Sequence, residues 1–203
     1  MKSRTIFITA AVTLTLGLGI VAAQEAGRGA GAGRGGGGGR GRGGIPAPIK
    51  ITIPAFGDGG MIPAKYGCSN GTNANISPAI QFSGAPEGTQ TYALILHDPD
   101  VAIGGDDVLH WAIFNIPVSA TGLPENVPAK ATLEDGATQI NNIGGSIGYF
   151  NPCPPPPTTH HYMFEMYALD TKLEPAPASR ADLLKAMNGH IKAKGVYFGV
   201  FHQ

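Results

Sequence analysis

The stretch from Gly148 to Tyr162 limits the possible folds of this chain more than any other. It contains five prolines in fifteen residues, which excludes a helix and removes donors for a β-ladder. The stretch is therefore expected to be a stiff, extended loop with little conformational entropy left to lose. It ends in His160, His161 and Tyr162, at the start of an apolar run. A rigid loop that ends in histidine suits an anion-binding pocket, although a simple surface crossover between strands would fit the same pattern.

Most of the chain after residue 44 is predicted to form strands separated by Gly, Pro and Asn turns. Alternation of apolar and polar residues predicts a half-buried strand at 49–53. Nearly continuous apolar runs indicate central strands that are covered on both faces, and these runs lie at 91–97, 108–116 and 162–169. Shorter strands are predicted at 80–82, 138–140 and 196–201.

One helix is predicted near the C-terminus. Ser179 and Asp182 resemble a capping box at its start, and apolar residues recur at helical spacing from Leu183 to Ile191. Lysines in the last turn and Gly195 as a stop predict that the helix continues to about residue 194. Together these elements predict a mainly β fold, a sandwich with a late helix packed on one side.

The first 44 residues carry targeting and linker signals. Two basic residues precede an apolar stretch from Ile6 to Ile20, and small residues precede Gln24. This pattern predicts a cleaved signal peptide at 1–23, with an uncleaved membrane anchor as the alternative. Residues 24–44 contain twelve glycines and are predicted to be a disordered Gly/Arg-rich linker. The folded domain is expected at 45–203, in an exported protein, periplasmic or secreted, with no stable membrane span after cleavage.

Charge and composition argue against a nucleic-acid partner. The formal net charge is zero, so no overall field steers the chain toward a polyanion. The arginines of the linker lack interleaved aromatic residues on which bases could stack. No nucleic acid is therefore expected as a partner.

Two cysteines become informative if the chain is exported. Cys68 and Cys153 are an even pair, and an oxidising compartment would permit a disulfide between them. Two buried thiols that act as small hydrophobic groups are the alternative.

Three polar residues lie near the ends of predicted central strands. Asp98 follows one strand, His110 lies near the start of the next, and His160 precedes the third. Converging strand ends would form a cleft with one acid and two bases. Because side chains alternate along a strand, His110 and Trp111 are expected to face opposite ways, one into the core and one into the cleft. Taken singly, each residue is better explained by a structural role, Asp98 in a turn, His110 in the core and His160 in an exposed loop; the combination of all three favours a site.

Short motifs in the same segments follow one another in a specific order. They are Ser77-Pro78, Gly84-Ala85-Pro86-Glu87-Gly88-Thr89, Asp98-Pro99-Asp100, His110-Trp111, Phe114-Asn115-Ile116-Pro117, Pro152-Cys153-Pro154-Pro155, His160-His161-Tyr162 and Tyr167-Ala168-Leu169-Asp170. This combination resembles the phosphatidylethanolamine-binding protein family, and most closely its bacterial Raf-kinase-inhibitor-like branch. The resemblance covers about Ile49 to Phe201. It implies a β-sandwich of two antiparallel sheets with a small anion-binding pocket at one end.

The resemblance also implies roles for individual residues. The ligand-binding residues would be Asp98, His110, Asn151, Pro152, His160 and Tyr162. Asp100 and Trp111 would hold these ligand-binding residues in position without contacting the ligand themselves. Asn151 stands where the family has a glycine, and His161 stands where it usually has an arginine.

Three classes of function fit these residues. Imidazole and phenol donors suit a phosphate, which predicts non-enzymatic binding of a small anion or a phospholipid headgroup. The alternative is an inhibitor or regulatory partner of an extracytoplasmic protease or another protein. An enzyme is the third class, but the Gly-x-Ser-x-Gly, His-Glu-x-x-His and phosphate-loop signatures are all missing from the sequence. No catalysis, metal or cofactor is therefore expected.

Overall fold

The structure is a computed structural model that describes residues 47–68 and 74–203. The predicted signal peptide at 1–23 and the linker at 24–44 lie outside the described residues. The strands are β1 (Lys50–Thr52), β2 (Gly60–Met61), β3 (Ile80–Ser83), β4 (Thr91–Ile103), β5 (Asp106–Pro117), β6 (Gly122–Leu123), β7 (Thr138–Gln139), β8 (His160–Leu169) and β9 (Ile191–Phe201). The helix α1 spans Arg180–Met187, and a short 3-10 turn spans Ala64–Tyr66.

The strands form two sheets that pack face to face. One sheet has the order β1-β3-β6 and the other the order β2-β9-β8-β4-β5-β7. The pairings are antiparallel except for the two-residue parallel pair of β2 and β9. Ile51 and Phe82 of the smaller sheet share one buried cluster with Leu96, Trp111 and Phe164 of the larger sheet. The prediction of a mainly β sandwich is therefore confirmed.

The second face of the larger sheet is covered by α1. Ala93, Ile95 and Phe114 point toward this side and form a separate buried cluster with Leu183 and Met187 of the helix. Strands that are covered on both faces need apolar residues at successive positions. This explains why β4, β5 and β8 have nearly continuous apolar sequences.

The turn between β4 and β5 lies further along the chain than predicted. The prediction that β4 ends at His97 is wrong, because the strand continues to Ile103 and β5 begins at Asp106. Gly104 and Gly105 form the turn, with φ angles of 68° and 88° that favour glycine. The β4–β5 register shifts between Asp98 and Ala102, and an unpaired stretch of strand tolerates Pro99.

The helix begins as predicted but ends earlier. The Ser179 hydroxyl accepts a hydrogen bond from the Asp182 N–H at 3.1 Å. The prediction that the helix continues to about residue 194 is wrong, because α1 ends at Met187 and β9 begins at Ile191. Gly195 lies inside β9, where the Ile49 carbonyl approaches so closely that a Cβ atom would collide with it. The glycine therefore serves strand packing and does not stop a helix.

Within the described ranges, no helix is both long and apolar enough to cross a membrane.

Candidate functional site

A cavity of about 220 Å³ lies at the end of the larger sheet, where β4, β5 and β8 meet the proline-rich loop. Four of the residues predicted to bind ligand line it, namely Asp98, His110, His160 and Tyr162. The rest of the lining is mostly apolar and consists of Val101, Val108, Ile143, Phe150, Cys153, Pro154 and Pro155. The cavity therefore combines a small polar group with an apolar wall, as small-molecule sites commonly do.

The carboxylate of Asp98 organises the polar end of the cavity. Oδ2 accepts a hydrogen bond from Nδ1 of His160 at 2.7 Å, and Oδ1 accepts one from the Asp100 N–H at 2.9 Å. The Tyr162 hydroxyl also bonds to this carboxylate, and burial, followed by the charge of Asp98, raises the pKa of Tyr162 far above its ordinary value. The phenol therefore keeps its proton and donates a hydrogen bond to Asp98. Because these bonds occupy the carboxylate, Asp98 positions the other groups.

His110 reaches the cavity because β5 contains a β-bulge. Leu96 of β4 pairs with Trp111, whereas His97 pairs with Leu109. His110 is the extra residue between these pairs, and a bulge of this kind redirects the side chain at the irregularity.

The bulge places His110 on the same side of the strand as Trp111. Leu109 and Ala112 both pack toward the helix side of the sheet. The alternation of side chains between the two faces of β5 is therefore shifted by one residue at His110. The His110 ring lies perpendicular to that of Tyr162, with centroids 5.0 Å apart. The prediction that His110 and Trp111 face opposite ways is therefore wrong. Trp111 still fills the core, with Nε1 donating to Gln139 at 2.7 Å, while His110 lines the cavity.

The two nitrogen atoms of His110 have different tasks. Nδ1 lies 2.9 Å from the carbonyl oxygen of Phe150, and a carbonyl can only accept, so Nδ1 carries a hydrogen. Burial lowers the pKa of His110. The ring is therefore neutral near pH 7, and Nε2 becomes a donor only when a proton is added.

Asp100 supports the start of β8 from outside the cavity. Its Oδ2 accepts from the backbone N–H of His161 at 2.6 Å and from the ring Nδ1 at 2.9 Å. Burial opposes the charged form, but these bonds and the His161 ring outweigh it and lower the pKa of Asp100. The β4–β8 pairing ends at His97 and Met163. Beyond this point, the carboxylates of Asp98 and Asp100 hold the beginning of β8 in place.

The proline-rich loop is anchored at its start by two backbone contacts and a disulfide. The Asn151 N–H donates to the Asn75 side chain at 3.1 Å, and the Pro152 carbonyl accepts from the Cys68 N–H at 2.8 Å. Cys68 and Cys153 are bridged, with Cα atoms 5.2 Å apart. Asn151 and Pro152 are buried, and neither is among the residues that line the cavity. Their direct contact with a ligand remains a prediction.

The proline-rich loop was expected to form a wall of the pocket, but the other apolar lining residues were missed by reasoning from the sequence. Val101 and Val108 come close together because β4 and β5 extend beyond their predicted limits. Ile143 belongs to a loop between β7 and β8, and nothing in its local sequence indicates a pocket. Phe150 lies inside the stretch from Gly148 to Tyr162, and its place in that stretch was the available signal.

A larger groove elsewhere on the domain is a weaker candidate. It has a volume of about 540 Å³ and lies between residues 171–178 and α1. Several of its charged groups pair with each other or with an adjacent carboxylate, as Lys172 does with Glu174 and His190 with Asp170. The smaller cavity has polar groups that converge on one point, and we therefore place the candidate site there.

Comparison with known proteins identifies the family. The sequence model of the phosphatidylethanolamine-binding protein family matches residues 52–202. This chain belongs to the phosphatidylethanolamine-binding protein family. The matched segment includes every residue that lines the polar end of the cavity.

Individual members of the phosphatidylethanolamine-binding protein family resemble the chain over most of their length. A UPF0098 protein of Methanothermobacter thermautotrophicus is 43% identical over 150 residues, which cover 73% of this chain and 95% of that protein. The crystal structure of Escherichia coli YbcL, described as a member of the mammalian PEBP family, has a TM-score of 0.70 and 30% identity. The match covers 77% of this chain and 99% of YbcL.

A relative from Mycobacterium tuberculosis is named as a lipoprotein, LppC. It is 35% identical over 159 residues, which cover 75% of this chain and 73% of LppC. That name is compatible with export of members of this family.

Proposed function

We propose that this protein binds a small anion, such as a phosphate or a phospholipid headgroup, in the cavity at the end of the sandwich, without catalysing a reaction. One observation carries the proposal. Nδ1 of His160 is bound to Asp98 and Nδ1 of His110 is bound to Phe150. Both rings therefore keep Nε2 for a ligand, and a proton added at Nε2 makes either ring a charged donor.

A calorimetric titration with inorganic phosphate and phosphoethanolamine tests this function. The full chain is titrated at about pH 6, near the ordinary pKa of histidine, alongside His160→Asn. Asparagine can still donate to Asp98 from the position of Nδ1, but it lacks Nε2. We expect the wild-type protein to bind and this variant to lose about tenfold or more in affinity, which is about 1.4 kcal/mol.

His190→Asn provides the matched control. His190 also pairs through Nδ1 with a carboxylate, that of Asp170, at 2.9 Å. This pair lies on the surface, away from the cavity, so the variant is expected to bind as tightly as the wild-type protein. A folded wild-type protein that binds neither anion would overturn the proposed function.

We also propose that the domain acts outside the cytoplasm. The bridge between Cys68 and Cys153 supports this, because disulfides persist mainly in oxidising compartments. The lipoprotein name of a relative is compatible with it. Expression of the full chain, followed by cell fractionation and N-terminal sequencing, is expected to give an exported protein that begins at Gln24. An uncleaved protein in the cytoplasm would contradict the proposal.

A further inference from the structure

The end of the β4–β5 hairpin, residues 99–107, extends beyond the rest of the larger sheet. The pairing of β4 with β8 ends at His97. The pairing of β4 with β5 shifts after Asp98 and then resumes for only two residue pairs, whose members in β5 are Asp106 and Asp107. A short two-stranded segment is marginally stable by itself. Strand pairing alone therefore holds this hairpin end weakly.

The hairpin end also contributes to one wall of the cavity. Val101 and Val108 both line the cavity. Val108 is the partner of Asp98 in the last pair before the shift, and Val101 lies within the shifted stretch. A displacement of the hairpin end would therefore move this wall, together with the backbone next to the carboxylate that organises the polar end of the cavity.

Arg180, the first residue of α1, connects the helix to the hairpin end. Its Nη1 donates a hydrogen bond to Oδ1 of Asp106, and its Nη2 lies 3.6 Å from Oδ2 of Asp107. The Arg180 side chain is only 14% exposed, and its hydrogen bond is the main cause that lowers the pKa of Asp106. A planar guanidinium with several N–H donors can hold two adjacent carboxylates in this way.

His97 continues these contacts across the larger sheet. Its Nδ1 lies 2.8 Å from Oδ2 of Asp107, and its Nε2 lies 3.6 Å from Oε2 of Glu165 in β8. Glu165 in turn pairs with Lys194 of β9. A continuous series of polar side chains thus joins α1 and the hairpin end to the sheet, and none of these side chains lines the cavity.

We propose that Arg180 is a positioning residue for the anion site. By holding Asp106 and Asp107, it fixes the hairpin end and thereby the cavity wall that contains Val101 and Val108. This inference rests on the proposed function and adds a residue outside the cavity on which affinity depends. The contact between α1 and the hairpin end is then a place where the site is loosened without a change in any group that faces the anion.

Positioning and long-range electrostatic attraction predict different effects. Loss of the positive charge of Arg180 weakens anion binding in both cases. Loss of the negative charges of Asp106 and Asp107 strengthens binding if only the field of the protein matters, because fewer charges repel the anion. If these carboxylates position the wall, their loss weakens binding. The sign of this second effect therefore separates the two explanations.

Calorimetric titration of the full chain with inorganic phosphate at about pH 6 measures these effects. We expect Arg180→Met to bind about fivefold more weakly, and the double variant Asp106→Asn, Asp107→Asn to bind about threefold more weakly. Arg180→Lys keeps the charge and can still contact one carboxylate, so it should recover part of the affinity that Arg180→Met loses.

Lys185→Met is the matched control for charge. It removes one positive charge from an exposed position of the same helix, and Lys185 belongs to none of the ion pairs found among the described residues. This variant is expected to bind phosphate within about twofold of the wild-type affinity.

Hydrogen exchange provides a second measurement, made without a ligand. In Arg180→Met, the backbone amides of residues 100–107 are expected to exchange about tenfold faster than in the wild-type protein, because the hairpin end opens more often. The amides of residues 110–116, in the interior of β5, should exchange as before. This contrast distinguishes a released hairpin end from a general loss of stability, and Lys185→Met should match the wild-type protein in both segments.

Three results would overturn the inference and leave the proposed function intact. The first is phosphate binding that Arg180→Met leaves unchanged. The second is tighter phosphate binding by the double variant Asp106→Asn, Asp107→Asn. The third is unchanged exchange of residues 100–107 in Arg180→Met. If the folded wild-type protein binds no phosphate, the proposed function fails and the inference fails with it.

Discussion

The imidazole of His160 donates from Nδ1 to the carboxylate of Asp98 at 2.7 Å, in a buried position where β4 meets the start of β8. A second pair of the same chemistry joins His190 to Asp170 at 2.9 Å on the surface. The two pairs differ mainly in burial, with side chains of 11% and 5% exposure in the first and 47% and 41% in the second. This contrast allows the effect of burial to be measured directly.

Asp98→Asn is expected to lower the free energy of unfolding by about 2–3 kcal/mol. The buried carboxylate that accepts several hydrogen bonds is replaced by an uncharged amide, whose NH₂ group faces other donors. Asp170→Asn is expected to change the free energy of unfolding by less than about 1 kcal/mol, as is usual for exposed ion pairs. Urea unfolding at neutral pH measures both. Equal losses in the two variants would contradict the assignment of Asp98 as the organising carboxylate.

Glu165 provides a prediction for acid conditions. Burial raises its pKa, but the His97 ring, with Nε2 3.6 Å from Oε2, and hydrogen bonds from Lys194 and Tyr167 outweigh burial and lower the pKa to about 2. Since the folded protein holds this carboxylate charged, its contribution is complete above the ordinary pKa of about 4.5 and is lost as the pH falls toward about 2. Glu165→Gln should therefore cost about 1–2 kcal/mol at neutral pH, and its difference from the wild-type protein should shrink below about pH 4.5.

Urea unfolding of both proteins at about pH 7 and at about pH 3 provides the comparison. Glu134→Gln removes one charge from an exposed position and serves as the control for net charge. A Glu165→Gln deficit that is the same at both values of pH would show that packing, and not ionisation, explains the loss.

The disulfide should contribute to global stability. Cys68 and Cys153 are 85 positions apart in the sequence, and a bridge that closes a long loop restricts the unfolded chain. The double substitution Cys68→Ser and Cys153→Ser is expected to lower the free energy of unfolding by about 2–4 kcal/mol. The wild-type protein, by contrast, should show no free thiol when unfolded without a reductant. Two titratable thiols in that assay would disprove the bridge.

Gly195 tests the close approach between β9 and the residue that precedes β1. A Cβ atom at this position would collide with the Ile49 carbonyl, so Gly195→Ala is expected to cost about 1–3 kcal/mol. Gly57 has no atom within 4 Å of the position of such a Cβ, so Gly57→Ala should be tolerated within about 0.5 kcal/mol. Thermal unfolding of the two variants measures the difference. A tolerated Gly195→Ala would mean that β1 does not lie against β9 in solution.

Much of the architecture could be predicted because local sequence determines it. A strand that is covered on both faces must be apolar at successive positions, and β4, β5 and β8 follow this rule. The start of α1 was equally predictable, since the Ser179 cap is a local contact. The end of the helix was not, because Ile191 suits both a helix face and an exposed position of β9. Pairing with β8 places Ile191 in a strand and not in a helix. This pairing partner lies outside the local sequence around Ile191.

In the candidate site, too, some features follow from local sequence and others depend on contacts between distant segments. Asp98, His110, His160 and Tyr162 were selected from the sequence, and the structure brings them around one cavity. Their individual tasks depend on contacts between distant segments, as with the Phe150 carbonyl that accepts from His110. The bulge at His110 depends on how β5 pairs with β4, and no residue type in the motif indicates it.

The bulge has a consequence for substitutions in β5 of this chain. His110 is the extra residue of β5, and the positions on either side of it, Leu109 and Trp111, are the ones that pair with β4. The residues of β5 that pair with β4 and the residue that lines the cavity are thus separate positions along a single strand. A substitution at this one position would therefore alter the lining of the cavity, and its contact with the Phe150 carbonyl, more directly than the pairing of β4 with β5.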